Sequence, residues 1–340
     1  MSGDAHDGAG TAGKAVVTGA AGFIGSHLVE ALRRDGTNVV GIDRKPSWPT
    51  DEIPPSAESG SLRSIRADLV SADLSACLKN AATVFHLAAL PGVRPSWTQF
   101  PEYLHCNVLA TQRLMDACVR AGVPRVVMAS SSSVYGGAEG TMNEDDLPRP
   151  LSPYGVTKLA AERLALAFAA RRDAPTSVSA LRFFTVYGPG QRPDMFIGRV
   201  IRATLEDKPI DVYGDGTQIR DFVHVSDVVR ALMLAATTPE QGSSVLNIGT
   251  GQAVSMNEVL ALTGELTGTT PDARYGPARI GDVRSTTADV GRARQHIGFT
   301  ARTDLRTGLA TQIEWARQAL AQAPPHETAS SSLMAPTRRS

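Results

Sequence analysis

Tyr154 and Lys158 stand four residues apart in YGVTK. The stretch around them, residues 151–168, reads as a helix with Ser152 as its N-cap and Pro153 at its first position. Residues four apart share one helix face. A phenol ionises near pH ~10 when left alone, and a neighbouring ammonium favours the phenolate. Such a pair can draw a proton from an alcohol while hydride leaves the same carbon. The spacing is common by chance, so its meaning depends on what else the chain supplies. Upstream, MASSSSVYGG (128–137) places four serines at the end of the apolar run RVVMAS. Ligands bind at the carboxyl ends of parallel strands, and a hydroxyl there can hold a substrate oxygen.

A second group of residues suits a dinucleotide. TGAAGFIG (18–25) joins the apolar run KAVVTG to a helical stretch that begins at Phe23 and Ile24. In this spacing Gly19 allows a tight turn, Gly22 lets backbone approach a pyrophosphate, and Gly25 permits close packing of helix and strand. The helix N-terminus adds free N–H groups and partial positive charge. The next strand, NVVGID (38–43), ends in Asp43. A carboxylate there accepts from ribose hydroxyls and repels a 2′-phosphate, which favours NAD over NADP. Arg44 follows it, and Asp68-Leu69 lies where a side chain could reach an adenine amino group.

These residues need a scaffold, and the pattern provides one. Apolar runs at 14–19, 38–43, 82–89, 125–130 and 177–184 alternate with helical stretches such as 103–122. Continuous apolar runs are expected of strands buried on both faces. Alternation of this kind predicts an α/β Rossmann fold, a parallel sheet with helices on both sides. Beyond residue 185 turn signals cluster, and a smaller, loop-rich α/β domain is expected. The division predicted is a dinucleotide domain over 13–184, rejoined by 221–250, and a substrate domain over 185–220 and 251–322. Residues 1–12 and 323–340, rich in Ser, Gly, Pro and Ala, read as disordered tails.

The chain's 340 residues balance 34 basic against 34 acidic side chains. That excludes bulk attraction to nucleic acid or to anionic membrane. Cys77, Cys106 and Cys118 lack metal-type spacing, so no metal site is expected and the thiols read as buried small hydrophobes. An odd count without CxxC suits a reducing cytoplasm. The first residues have no signal-peptide pattern, and no apolar run approaches a bilayer's thickness.

TGAAGFIG, HLAA (86–89), SSSSVYG (130–136) and YGVTK, in this order, resemble the extended short-chain dehydrogenase/reductase family over about residues 14–320. The resemblance implies tightly held, recycled NAD and a nucleotide-sugar site. It implies Ser131 as the catalytic hydroxyl, Tyr154 as base and Lys158 as its partner. Leu87, Ala88 and Ala89 would line the cofactor, and Asn107 would lie near its nicotinamide side. A homodimer joined by a four-helix bundle is also implied, with residues 103–121 and 154–170 supplying the helices. The family's 4,6-dehydratases carry Asp-Glu after the catalytic hydroxyl, and its decarboxylases commonly a glutamate at the second position. This chain has Ser132 and Ser133, so elimination lacks its acid and base and 4-epimerisation remains.

FFTVYGPGQRPDM (183–195) resembles the corresponding loop of UDP-glucuronate 4-epimerases, with Thr185 where UDP-glucose 4-epimerases usually have Asn. The implied contacts of Thr185 and Arg192 are with a sugar C6 carboxylate, which would supply an anion that Arg192 otherwise lacks. Arg94, in ALPGVRPSW (89–97), could line the same pocket. Arg220 in 214–227, and Arg279 with Asp282 in 278–289, match segments that hold the diphosphate and ribose of UDP. The expected activity is interconversion of UDP-glucuronate and UDP-galacturonate through a 4-keto sugar. The alternatives are UDP-glucose 4-epimerisation, UDP-glucuronate decarboxylation, and a non-catalytic NAD sensor.

Overall fold

The apolar runs of the first half assemble side by side. In the computed structural model, which describes residues 13–48, 52–56, 59–137, 140–238, 242–278 and 284–322, eight strands form one sheet. Their order is Ser244–Ile248, Ser177–Phe183, Arg125–Ser131, Ala81–His86, Lys14–Thr18, Val39–Asp43, Leu62–Arg66 and Glu52–Ile53. Every neighbouring pair is parallel except the last. Leu62–Arg66, with its alternating burial, is a strand that a search for continuous apolar runs passes over.

Both faces of the sheet are covered, which explains the strands' uniform hydrophobicity. One face packs against helices Phe23–Arg34, Val225–Thr237 and Gly291–Ile297 through Leu28, Leu32, Val228, Leu232 and Ala293. The other packs against Ala110–Ala121 and Pro153–Ala169 through Leu114, Met115, Cys118, Ala161 and Ala165. Cys77 and Cys118 are buried as expected, Cys106 is only partly buried, and all three cysteines are free thiols. Strand order reverses between Lys14–Thr18 and Ala81–His86. The crevice outside the carboxyl ends at such a reversal is where ligands bind in open α/β sheets.

The second half is less loop-rich than its turn signals suggest. Helices Phe196–Leu205, Met256–Thr267 and Leu305–Gln322 pack on Ile201, Phe222, Val259, Leu309 and Ile313. Short strands complete it, among them Thr185–Tyr187 paired with Phe222–His224 and Ile210–Tyr213 paired with Ala273–Gly276. The glycines that read as turns also serve close packing. A Cβ on Gly308 would lie 2.1 Å from the Tyr187 hydroxyl.

Candidate active site

Four carboxyl strand ends converge on the crevice, and each carries residues singled out by sequence. The first leads into the glycine turn. Gly19 has φ +72°, and its missing Cβ would lie 2.7 Å from Ala88 N. Gly25 is closer still, because a Cβ there would sit 2.0 Å from Gly19 O. The tight fit is thus between helix and turn, not helix and strand. Helix Phe23–Arg34 starts with Gly22 at its N-cap and no side-chain cap, so the orphan N–H groups of its first turn are left for a ligand. That geometry fits a pyrophosphate. Asp43 closes the next strand and accepts from Ala21 N at 3.0 Å and Lys45 N at 2.9 Å, which fixes its carboxylate beside the turn. Asp68 accepts from Val70 N and pairs with His105 at 3.2 Å. Burial raises its pKa, but these bonds outweigh burial and hold it below the usual carboxylate range. The Leu69 side chain packs in the core.

Leu87, Ala88 and Ala89 follow Ala81–His86 and border the glycine turn. Their support is Asn107. Its Oδ1 accepts from Leu90 N, and its Nδ2 donates to Leu90 O and Thr157 Oγ1. Asn107 is fully buried and both its amide protons are spent. It therefore braces the 87–90 loop, the segment expected to line the cofactor. The helical turn that carries it, Leu104–Leu109, is wound as π-helix, a local distortion often found at functional sites. His86, behind the loop, bridges Thr18 Oγ1 and Thr111 Oγ1 at 2.9 Å each. Its burial lowers its pKa to about 3, so it stays neutral.

The fourth strand end is Ser131, whose Oγ accepts from Ser133 N at 3.1 Å. The Ser131 hydroxyl also lies close enough to the Tyr154 phenol to favour its phenolate. Helix Pro153–Ala169 presents that phenol: Ser152 caps it through Gly155 N, and Ser96 Oγ accepts from Tyr154 N. Burial raises the phenol's pKa, and both the Ser131 hydroxyl and the Arg192 charge oppose the rise. Lys158 Nζ donates to Ala129 O at 2.7 Å. Burial lowers the Lys158 pKa to about 8, and Glu162 pulls it back up.

Glu162 is a member of the site that sequence reasoning misses. It is fully buried one turn beyond Lys158, gripped by Arg182 through two bonds of 2.7 and 3.0 Å. Its Oε2 also accepts from Ser130 Oγ at 2.7 Å. Ser130 lies between Ala129, which holds Lys158, and Ser131, which holds Tyr154. The i,i+4 spacing from Lys158 was the available signal, but Arg182 comes from another strand and only the fold brings it in.

Arg192 lies near enough for its charge to act on the Tyr154 phenol, and its Nη2 is 3.5 Å from where a Gly92 Cβ would sit. The loop carrying it is fixed on both sides: Gln312 Nε2 donates to Gln191 Oε1, and His27 bonds Pro189 O at 2.8 Å. Contrary to expectation, Arg192 does not lack an anion. Asp194 takes its Nε and Nη2 at 2.9 and 2.6 Å. Two residues of loop bring the carboxylate round. Arg94 lies 5.0 Å over the Tyr213 ring, on the side of Asp194. Ser132 and Ser133 form the turn after Ser131. Thr185 N donates to Asp221 O, and Arg220 Nη1 donates to Ile219 O. Arg279 and Asp282 lie outside the described residues.

A glycine turn at the strand-order reversal and a Ser131–Tyr154–Lys158 set two strands away define an α/β dinucleotide-dependent enzyme of the dehydrogenase/epimerase type. The chain belongs to the NAD dependent epimerase/dehydratase family, which residues 15–249 match. It is 39% identical over 316 residues to "Uncharacterized UDP-glucose epimerase YtcB" of Bacillus subtilis (strain 168), covering 89% of this chain and 97% of that protein. It resembles the solved structure of MoeE5 in complex with UDP-glucuronic acid and NAD, with 73% identity, TM-score 0.85, and 90% and 100% of the two chains covered. UDP-glucuronic acid 4-epimerase from Bacillus cereus, in complex with UDP-glucuronic acid and NAD, is 36% identical with TM-score 0.82, over 90% of this chain and 99% of that one. Among the described residues no His/Cys/Asp/Glu group could hold a metal ion, and no helix is long and apolar enough to cross a membrane.

Proposed function

We propose that this protein is an isomerase that interconverts UDP-glucuronate and UDP-galacturonate, inverting C4 of the sugar. The observation that carries the reading is a guanidinium, Arg192, beside the Ser131–Tyr154–Lys158 set. A C6 carboxylate is one carbon from the ring and would meet that fork while C4 faces Tyr154. The solved relatives with UDP-glucuronic acid support the same substrate.

The glycine turn, the Phe23 helix end, Asp43 and the 87–89 loop would hold NAD, which when bound supplies a hydride acceptor at C4 and gives the hydride back. Tyr154 takes the C4 hydroxyl proton and later returns it. Ser131 aligns the oxygen, and charged Lys158 favours the phenolate. The 4-keto sugar turns and receives hydride on its other face. Ser132 and Ser133 offer no strong acid or base, so dehydration has no catalyst. A 4-keto uronate loses carbon dioxide readily when its carboxylate stands perpendicular to the ketone; Thr185, Ser132, Ser133 and Arg192 hold it near the ring plane. The domain of residues 185–220 and 251–322, with Arg94, Arg220, Arg279 and Asp282, takes the rest of the UDP-sugar.

Replacing Arg192 by Ala should raise KM for UDP-glucuronate about tenfold or more, the scale of a charge-assisted carboxylate pair, and raise KM for UDP-glucose far less. Equal rises would remove the carboxylate role. One observation favours a second reading, UDP-glucose 4-epimerisation: Asp194 already satisfies Arg192, so no sugar carboxylate is required of the site. MoeE5 is also solved with UDP-glucose and NAD.

Two further assignments accompany the reading. The chain forms a homodimer through a four-helix bundle, because Leu104, Leu109 and Val156 leave an apolar face 41–46% exposed on the two adjoining helices. It works in the cytoplasm, where thiols such as Cys77, Cys106 and Cys118 stay reduced.

A further inference from the structure

The Arg192 fork is filled from within the chain. Its bonds to Asp194, 2.9 Å from Nε and 2.6 Å from Nη2, have the two-pronged form by which a guanidinium grips any carboxylate. The backbone beneath them is held fast. Gln191 is buried, its Nε2 donates to Val186 O, and its Oε1 accepts from the buried Gln312, whose Oε1 in turn accepts from Gly188 N. The two ends of the pair remain free to move, since the side chains of Arg192 and Asp194 are 36% and 62% exposed.

We propose that Asp194 is a self-ligand that sets substrate specificity: it fills the Arg192 fork when the sugar C6 is a neutral hydroxymethyl, and yields it to the C6 carboxylate of a uronate. The inference rests on the carboxylate reading given above. With a neutral sugar, Arg192 keeps an acceptor instead of being left unpaired against a closed site, which would penalise binding. With a uronate, one carboxylate replaces another of the same charge and geometry, and Asp194 turns to solvent. Arg94, stacked on Tyr213, offers the displaced carboxylate a second cation. Asp194 thereby narrows the discrimination that Arg192 alone would impose, and the site accepts both sugars.

The test is the ratio of KM for UDP-glucose to KM for UDP-glucuronate in the full-length enzyme, in Asp194→Asn and Asp194→Ala, with Arg192→Ala as the control. An exposed pair is weak, so the ratio should rise roughly threefold in both Asp194 variants. It should fall in Arg192→Ala. An unchanged or lower ratio in the Asp194 variants, with Arg192→Ala still lowering it, overturns the self-ligand and leaves the carboxylate reading standing. Asp194 would then be orienting Arg192 or merely neighbouring it. A ratio unchanged by Arg192→Ala removes the carboxylate reading and this inference with it.

Discussion

Lys158 is an ammonium placed where burial works against its charge. Its pKa falls from 10.5 to about 8 in the folded chain. Below about 8 both folded and unfolded chains carry the proton, and the folded state bears the cost of a buried charge. Between about 8 and 10.5 the unfolded chain holds the proton that the folded chain has lost, so stability rises with pH across that window. The rise should be missing in Lys158→Met, measured by denaturant unfolding at successive pH values. Turnover in that variant should fall about a hundredfold or more, the usual scale for general acid–base chemistry. Tyr154→Phe should lose turnover on the same scale or beyond while still binding NAD. Activity retained in Tyr154→Phe would remove Tyr154 as the base. At this scale the Ser131–Tyr154–Lys158 set was readable from motif and spacing, because one helix and one strand end carry it. The Arg182–Glu162 pair and the Asp194 fork were not, since neither follows from periodicity.

Glycines decide how the elements meet. A methyl at Gly25 would enter the backbone of the turn at Gly19 O, and neither partner can rotate away. Gly25→Ala must therefore open the turn and spread the N–H groups meant for pyrophosphate. NAD affinity should weaken roughly tenfold or more, equivalent to the ~1–3 kcal/mol of an overpacked contact, which titration with NAD would measure. Gly308→Ala acts on the other domain. Its Cβ would overlap the buried Tyr187 hydroxyl and push on the strand leading into the Arg192 loop. A loss of about 1–3 kcal/mol in stability is expected, together with lower selectivity for the uronate. The elements themselves were largely legible: five apolar runs became sheet strands, and Ser152 with Pro153 marked the start of the catalytic helix. Leu62–Arg66 escaped because Arg63, Ser64 and Arg66 broke its apolar run, and the 104–109 π-turn because nothing in LHCNVL departs from helical composition.

At the scale of the molecule, the helices bearing Asn107 and Tyr154 form one outer face, and pairing them across a dimer would brace both subunits' sites. Leu109→Arg together with Val156→Arg should yield a monomer by light scattering, with lower thermal stability. A dimer that survives both charges would place the interface elsewhere. Fold class was readable at this scale because alternating strands and helices admit few topologies. The second half was harder, since its short strands pair with distant partners and its turn-rich sequence hid four helices among the described residues. The central claim is that the crevice inverts C4 of a uronate without losing its carboxylate. It is tested most directly by incubating the holoenzyme with UDP-glucuronate and separating the nucleotide sugars. UDP-galacturonate in equilibrium with substrate, with no carbon dioxide released, is the predicted result. A pentose or 4-keto pentose nucleotide would contradict it, as would a holoenzyme that epimerises UDP-glucose and leaves UDP-glucuronate unchanged.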